Sequence, residues 1–138
     1  MPGAGLPPLR AVRVDGLQVL AGVLPSEDLA DHVAGSLWTF AGSGRFTCVS
    51  GQDIGAMSVL TGRYTRRGDG WEFSAAAEEV IAHVVRQVWM TGTVEADGEL
   101  FRVTVIRGHT ATVRLPFGPG AAGTTTALRA VLTAVPVA

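Results

Sequence analysis

Between Ser36 and Phe117 glycine cuts the chain into short runs in which apolar and polar residues alternate. Trp71-Glu72-Phe73-Ser74 is the clearest, with both aromatics on one side and Glu and Ser on the other. A period of two is the spacing of a strand with one buried face. Trp38 and Phe40 share a face in the same way, as do Phe46 and Cys48. Gly42-Ser43-Gly44, Arg67-Gly68-Asp69-Gly70 and Ala96-Asp97-Gly98-Glu99 stand between such runs as turn signals. Many short strands with regularly spaced turns predict an all-β sandwich or barrel.

The rest of the chain bounds that reading. At 138 residues it fits one domain, expected over 10–138 after a mobile tail at 1–9 that contains Pro7-Pro8. Hydrophobic residues make up 47% and charged residues 17%, which excludes a disordered chain. The net charge of -1 offers nothing to a phosphate backbone, so nucleic acid is not an expected partner. The single cysteine, Cys48, rules out a disulfide within the chain. No apolar run is long enough to span a bilayer as a helix, and the start lacks the pattern of a secretory signal. The expectation is therefore no membrane and a cytoplasmic protein.

Three segments carry further expectations. Asp15-Gly16 interrupts the apolar run from Arg10 to Leu24 and predicts a hairpin. Pro25 to Val33 predicts a short helix, capped by Ser26 and favoured by Glu27 and Asp28 in its first turn. Ser74 to Met90 fits two patterns, because its apolar residues fall at helical spacing but are rich in β-branched types. The strand reading is preferred, as one strand over Glu79–Glu95. Strands are also expected at Ala56–Arg66, Leu100–Arg107, Thr110–Phe117 and Thr124–Val137, with Gly108 and 118–123 as connections.

Leu37-Trp38-Thr39-Phe40-Ala41-Gly42, followed by Gly62-Arg63-Tyr64 and Gly68-Asp69-Gly70, resembles the opening strands of bacterial lipocalin-like (calycin) domains. Arg86-Gln87-Val88-Trp89 before Asp97-Gly98-Glu99-Leu100 fits the same order. The resemblance covers about Ser36 to Arg107, and the segment 10–34 departs from it. It implies an antiparallel up-and-down β-barrel of about eight strands around an apolar cavity, here with one short N-terminal helix. In size and character the chain is also similar to the small β-barrel cyclases of polyketide biosynthesis.

No nucleophile elbow, phosphate loop, dinucleotide fingerprint or His-Glu-x-x-His motif occurs, so no cofactor is expected. His32, His83 and His109 stand on separate elements, which argues against a metal site. Cys48 reads as a small buried hydrophobe. Trp38, Phe40, Phe46, Trp71, Phe73 and Phe101 either fill the core or line a ligand cavity. Tyr64 and Trp89 are the candidate hydrogen-bond donors for catalysis, with Glu79 as a candidate acid at the barrel mouth. His83 and Gln87 are further candidate ligand contacts, and Arg86 is an alternative donor to Gln87.

All 11 basic residues are Arg and neither Lys nor Asn occurs, the bias of a high-G+C genome of the kind rich in specialised metabolism. The favoured expectation is a cofactor-free cyclase or isomerase that folds a hydrophobic, polyketide-like molecule inside the barrel. The alternative is a carrier that binds an apolar ligand and returns it unchanged. A homodimer stays open.

Overall fold

The alternating runs become strands, and the glycine-rich turns between them become hairpins. The computed structural model describes residues 6–21, 35–50, 59–81, 84–114 and 121–137, with the backbone alone at 81, 111, 113–114 and 121–124. Eight strands follow in order: β1 Leu9–Ala21, β2 Leu37–Phe40, β3 Arg45–Val49, β4 Val59–Arg67, β5 Gly70–Ile81, β6 Val84–Asp97, β7 Leu100–Arg114 and β8 Ala121–Pro136. Each pairs antiparallel with the next, and β8 pairs back onto β1, closing an up-and-down barrel. Closure is complete at the lower end; above it, β1 beyond Arg10 has no ladder partner on β2 and β5 beyond Ala75 has none on β4.

The connections alternate between the two ends. At the lower end β2–β3, β4–β5 and β6–β7 are joined by tight turns. Gly68 and Gly98 take φ of 59° and 64° there, a left-handed conformation that other residues adopt only under strain. The upper end receives the connections after β1, β3, β5 and β7. β1 and β2 meet only at their lower ends, with Leu9 opposite Trp38 and Arg10 opposite Leu37.

Inward-facing side chains fill the lower half. Trp38 packs against Phe46 with near-parallel rings 6.1 Å apart, and Phe73 meets both edge-on at 5.0 and 5.2 Å. Such pairs add about 0.5–1.5 kcal/mol each beyond the area they bury. The Trp38 indole N–H donates to the buried Ser36 hydroxyl at 3.1 Å, so the ring is buried at no polar cost. Leu9, Val94, Val103 and Leu132 complete the floor with no exposed surface. Leu6 is buried in the same core, and the Pro8 carbonyl accepts from the Val137 N–H at 2.8 Å. The chain therefore joins the barrel at Leu6, inside the segment 1–9 expected to be a tail.

Four expectations are corrected. Asp15-Gly16 is no hairpin: β1 runs through it with irregularities in its pairing to β8. The Asp15 carboxylate accepts from Arg13 Nε at 2.5 Å and from the Thr133 hydroxyl. It thus pins a bulge that bends β1 around the barrel. Glu79–Glu95 is not one strand but the two sides of the β5–β6 hairpin, with Ile81 opposite Val84. Gly108 does not break β7, which continues to Arg114, and β8 begins at Ala121 inside the expected loop. The helix expected over Pro25–Val33 lies outside the described residues, among which there is no helix.

Candidate functional site

Along each long strand the inward row passes from buried to exposed as it climbs. On β7 the order is Val103, Val105, Arg107 and His109, from no exposure at Val103 to an exposed His109. On β6 it is Val94, Met90, Val88 and Arg86, ending exposed. On β5 Phe73 and Ala75 are buried while Ala77 and Glu79 are half-buried. On β8 Leu132, Ala130 and Leu128 are buried and Thr126 is half-buried. Among the described residues the lower barrel is thus a solid plug, and the inward rows above it, increasingly exposed, outline an upper cup. Leu17 and Val19 face it from β1, opposite Ala130 and Leu128.

Register fixes which polar groups share the cup. Glu79 lies opposite Arg86, Val88 opposite His109, Met90 opposite Arg107, and His109 opposite Thr126. The Thr126 hydroxyl sits 3.0 Å from Nδ1 and 3.1 Å from Nε2 of His109, so it can serve either ring tautomer. Burial, then the positive charges of Arg107 and Arg86, hold the His109 pKa below its ordinary value. Burial also lowers Arg107, although a guanidinium keeps its proton at any physiological pH. Across the barrel, burial pushes the Cys48 thiol up to about 12 despite the opposing pull of Arg107. Cys48 is therefore a buried wall residue whose thiol keeps its proton at neutral pH.

The residues singled out from sequence do not all meet here. Trp38, Phe40, Phe46 and Phe73 form the plug, and Phe101 packs against it half-buried. Trp71 packs against it too, with the Arg66 guanidinium 4.6 Å from its ring centre. Tyr64 is buried, and its hydroxyl donates to the Ala41 carbonyl at 2.6 Å, pinning the β2–β3 turn. Trp89 lies on the outer wall, where its ring covers Gly108. Gln87 is also outside and donates to Glu78 at 3.0 Å. Of these three, Tyr64 is packed in the core while Gln87 and Trp89 lie on the outer wall, so they do not meet inside the barrel. Glu79 and Arg86 are on the inward rows. His32 and His83 lie outside the described residues.

Arg107 and His109 are not singled out as inward-facing groups in the sequence, where His109 is weighed only as a metal ligand, and neither is Thr126. A signal for the first two exists, because the period-two phase that sets Phe101, Val103 and Val105 inward carries on to both. Among the described residues no three His, Cys, Asp or Glu side chains cluster as metal ligands would, and no helix is long and apolar enough to cross a membrane. Compared with known proteins, the chain matches no family model, no curated protein and no solved structure.

Proposed function

We propose that the protein binds a hydrophobic small molecule in the upper half of its barrel, in the manner of a lipocalin-like carrier. The observation that carries this reading is the gradient along the inward rows: a fully packed floor below, and half-buried Ala77 and Leu17 with an exposed Val19 above it. An eight-stranded barrel has room for its own side chains or for one small ligand. Here side chains fill the floor, and the described inward side chains above it are only partly covered. The outer wall carries Arg63, Glu72, Gln87, Thr91 and Arg129 at mid-height, unlike the apolar belt of a lipid-spanning barrel.

A neutral solvatochromic dye such as Nile red tests the site. It is expected to bind saturably with a blue shift. Ala77→Trp, which fills the cup, should weaken binding about 10-fold or more, whereas Ala76→Trp on the outer wall should not. Equal binding by both variants would remove the interior as the site.

A second reading, a cofactor-free cyclase or isomerase for a polyketide-like substrate, is favoured by Glu79, Arg86 and His109 on the inward rows. A carboxylate and fixed cations around a confined apolar substrate are the groups that move a proton or steady developing negative charge. Incubation with linear polyenes decides between the two: new products identify an enzyme, and recovered substrate identifies a carrier.

A further inference from the structure

We propose that the outer wall carries a separate polar site, in which Arg45 and Arg63 grip the phosphate of a sugar phosphate and the groove beside Arg63 takes the sugar. The site does not depend on the interior-binding reading.

One row of residues crosses four strands: Arg45 on β3, Arg63 on β4, Ser74 on β5 and Thr91 on β6, each directly opposite the next. The chain neighbours Phe46, Tyr64 and Phe73 are buried in the core, so the row faces outward. Both arginines are exposed. Residues directly opposite in an antiparallel ladder stand roughly 5 Å apart at Cβ, and like charges placed so repel. The folded chain does not relieve this repulsion. Neither guanidinium has a hydrogen bond or an ion pair among the described residues, whereas Arg13, Arg67 and Arg102 each meet a carboxylate. An anion gripped by both forks turns the repulsion into attraction.

A second outward row lies just below, with Thr65, Glu72 and Thr93 in register. Between Arg63 and Glu72 the outward side chains are small, and the wall sinks into a groove of about 710 Å³. Hydroxyls of Ser43, Thr65, Ser74, Thr91 and Thr93 line it, and none has a hydrogen bond among the described residues. Each can donate and accept, which suits a body rich in hydroxyl groups.

Charge selects the anion. Arg45 and Arg63 bring two positive charges. Glu72 also lines the groove, but its Oε2 already accepts from Arg67 at 3.1 Å. A phosphate monoester carries about 1.5 to 2 negative charges at pH 7 and offers three acceptor oxygens, enough for two forks. A carboxylate carries one charge and two oxygens. Inorganic phosphate would leave the groove to water, whereas a sugar phosphate spans both parts.

Calorimetric titration with glucose 6-phosphate, glucose and inorganic phosphate tests this at about 0.15 M salt, which screens unspecific attraction. Glucose 6-phosphate is expected to bind at least about 10-fold tighter than glucose and about threefold or more tighter than inorganic phosphate. Arg45→Gln and Arg63→Gln, both at exposed positions, should each weaken it about fivefold or more while leaving Nile red binding unchanged. Thr93→Val keeps the shape of the side chain and should weaken glucose 6-phosphate but not inorganic phosphate. Glucose 6-phosphate binding no tighter than glucose, or binding that survives both glutamine variants, overturns the arginine assignment. Equal binding of glucose 6-phosphate and inorganic phosphate overturns the sugar assignment. The interior is read separately, by the Nile red titration.

Discussion

Trp89 on β6 lies across Gly108 on β7, so that a Cβ on Gly108 would stand 2.3 Å from Cζ2 of the indole. A glycine facing an aromatic on the neighbouring strand lets the ring shield backbone that would otherwise be bare. Gly92 is held more tightly, because its Cβ would meet the Thr104 carbonyl oxygen at 2.0 Å and the Phe73 ring at 2.7 Å. The two sites differ in what can yield. Trp89 is half-buried on the outer wall and can swing outward, whereas a backbone carbonyl in a closed barrel cannot move without breaking its ladder. Gly108→Ala should therefore cost about 1 kcal/mol and Gly92→Ala about 3 kcal/mol or more. Urea unfolding of both variants checks the order, and equal losses would contradict it.

Tyr64 should matter to stability and not to ligand. Its hydroxyl donates to the Ala41 carbonyl at 2.6 Å, and the ring is packed edge-on against Phe40 at 5.1 Å. Tyr64→Phe keeps the packing and leaves the Ala41 carbonyl without this donor. The expected loss is about 1 kcal/mol of folding free energy with unchanged Nile red affinity. A weakened affinity at full stability would return Tyr64 to the binding site.

Most of the fold was legible because period-two alternation and glycine turns are local signals. Trp71-Glu72-Phe73-Ser74 shows its buried face, and Gly68 and Gly98 mark their turns. The β5–β6 turn was not legible, because Val80-Ile81-Ala82-His83-Val84-Val85 contains no Gly, Pro, Asn or Asp. The consequence for the site is large. In one unbroken strand Glu79, His83, Gln87 and Trp89 would share a face. A hairpin that sets Ile81 opposite Val84 moves the inward phase from odd to even numbers, putting Arg86 and Val88 inside and Gln87 and Trp89 outside. Asp15-Gly16 misled for a different reason, since bulges and hairpin turns draw on the same residue types. The basic wall of the cup was readable in principle from Val103 and Val105 onward. It was passed over because Arg and His near a strand end look like solvated residues.

Cys48 should resist modification in the folded protein. Burial lifts its pKa from 9.0 to about 12, so thiolate is scarce at pH 8 and the sulfur is shielded. Ellman's reagent should react with it slowly in buffer and at once in guanidinium. The same shift has a stability consequence. The folded thiol holds its proton more tightly than the unfolded one, so this contribution is complete below pH 9.0 and is lost as pH rises toward about 12. Cys48→Ala should flatten the alkaline limb of a pH–stability curve.

Asp15 should mark the acid limb. Its hydrogen bonds from Thr133 and then Arg13 hold the carboxyl below its ordinary 3.8. A depressed acid stabilises the fold above its unfolded pKa and loses that contribution as pH falls through its folded value. Asp15→Asn should lower stability at neutral pH and narrow the difference from wild type below pH 3.8. A gap that persists unchanged in acid would show that the carboxylate charge plays no part in the bulge.

His109 should titrate below 6.5, held down first by burial and then by Arg107 and Arg86. The groups facing it are Arg107 on its own strand, Arg86 on β6 across from Glu79 on β5, and Thr126 on β8, with Cys48 on β3 across the cup. A base with a lowered folded pKa prefers to be neutral in the native state. The unfolded chain therefore binds more protons between the folded pKa and 6.5, and stability falls as pH drops through that window. Titration of the imidazole C–H signals by NMR reads the value directly. Arg107→Gln and Arg86→Gln should each raise it, because each removes a positive neighbour. An unchanged His109 titration in both variants would mean that the arginines do not act on the ring.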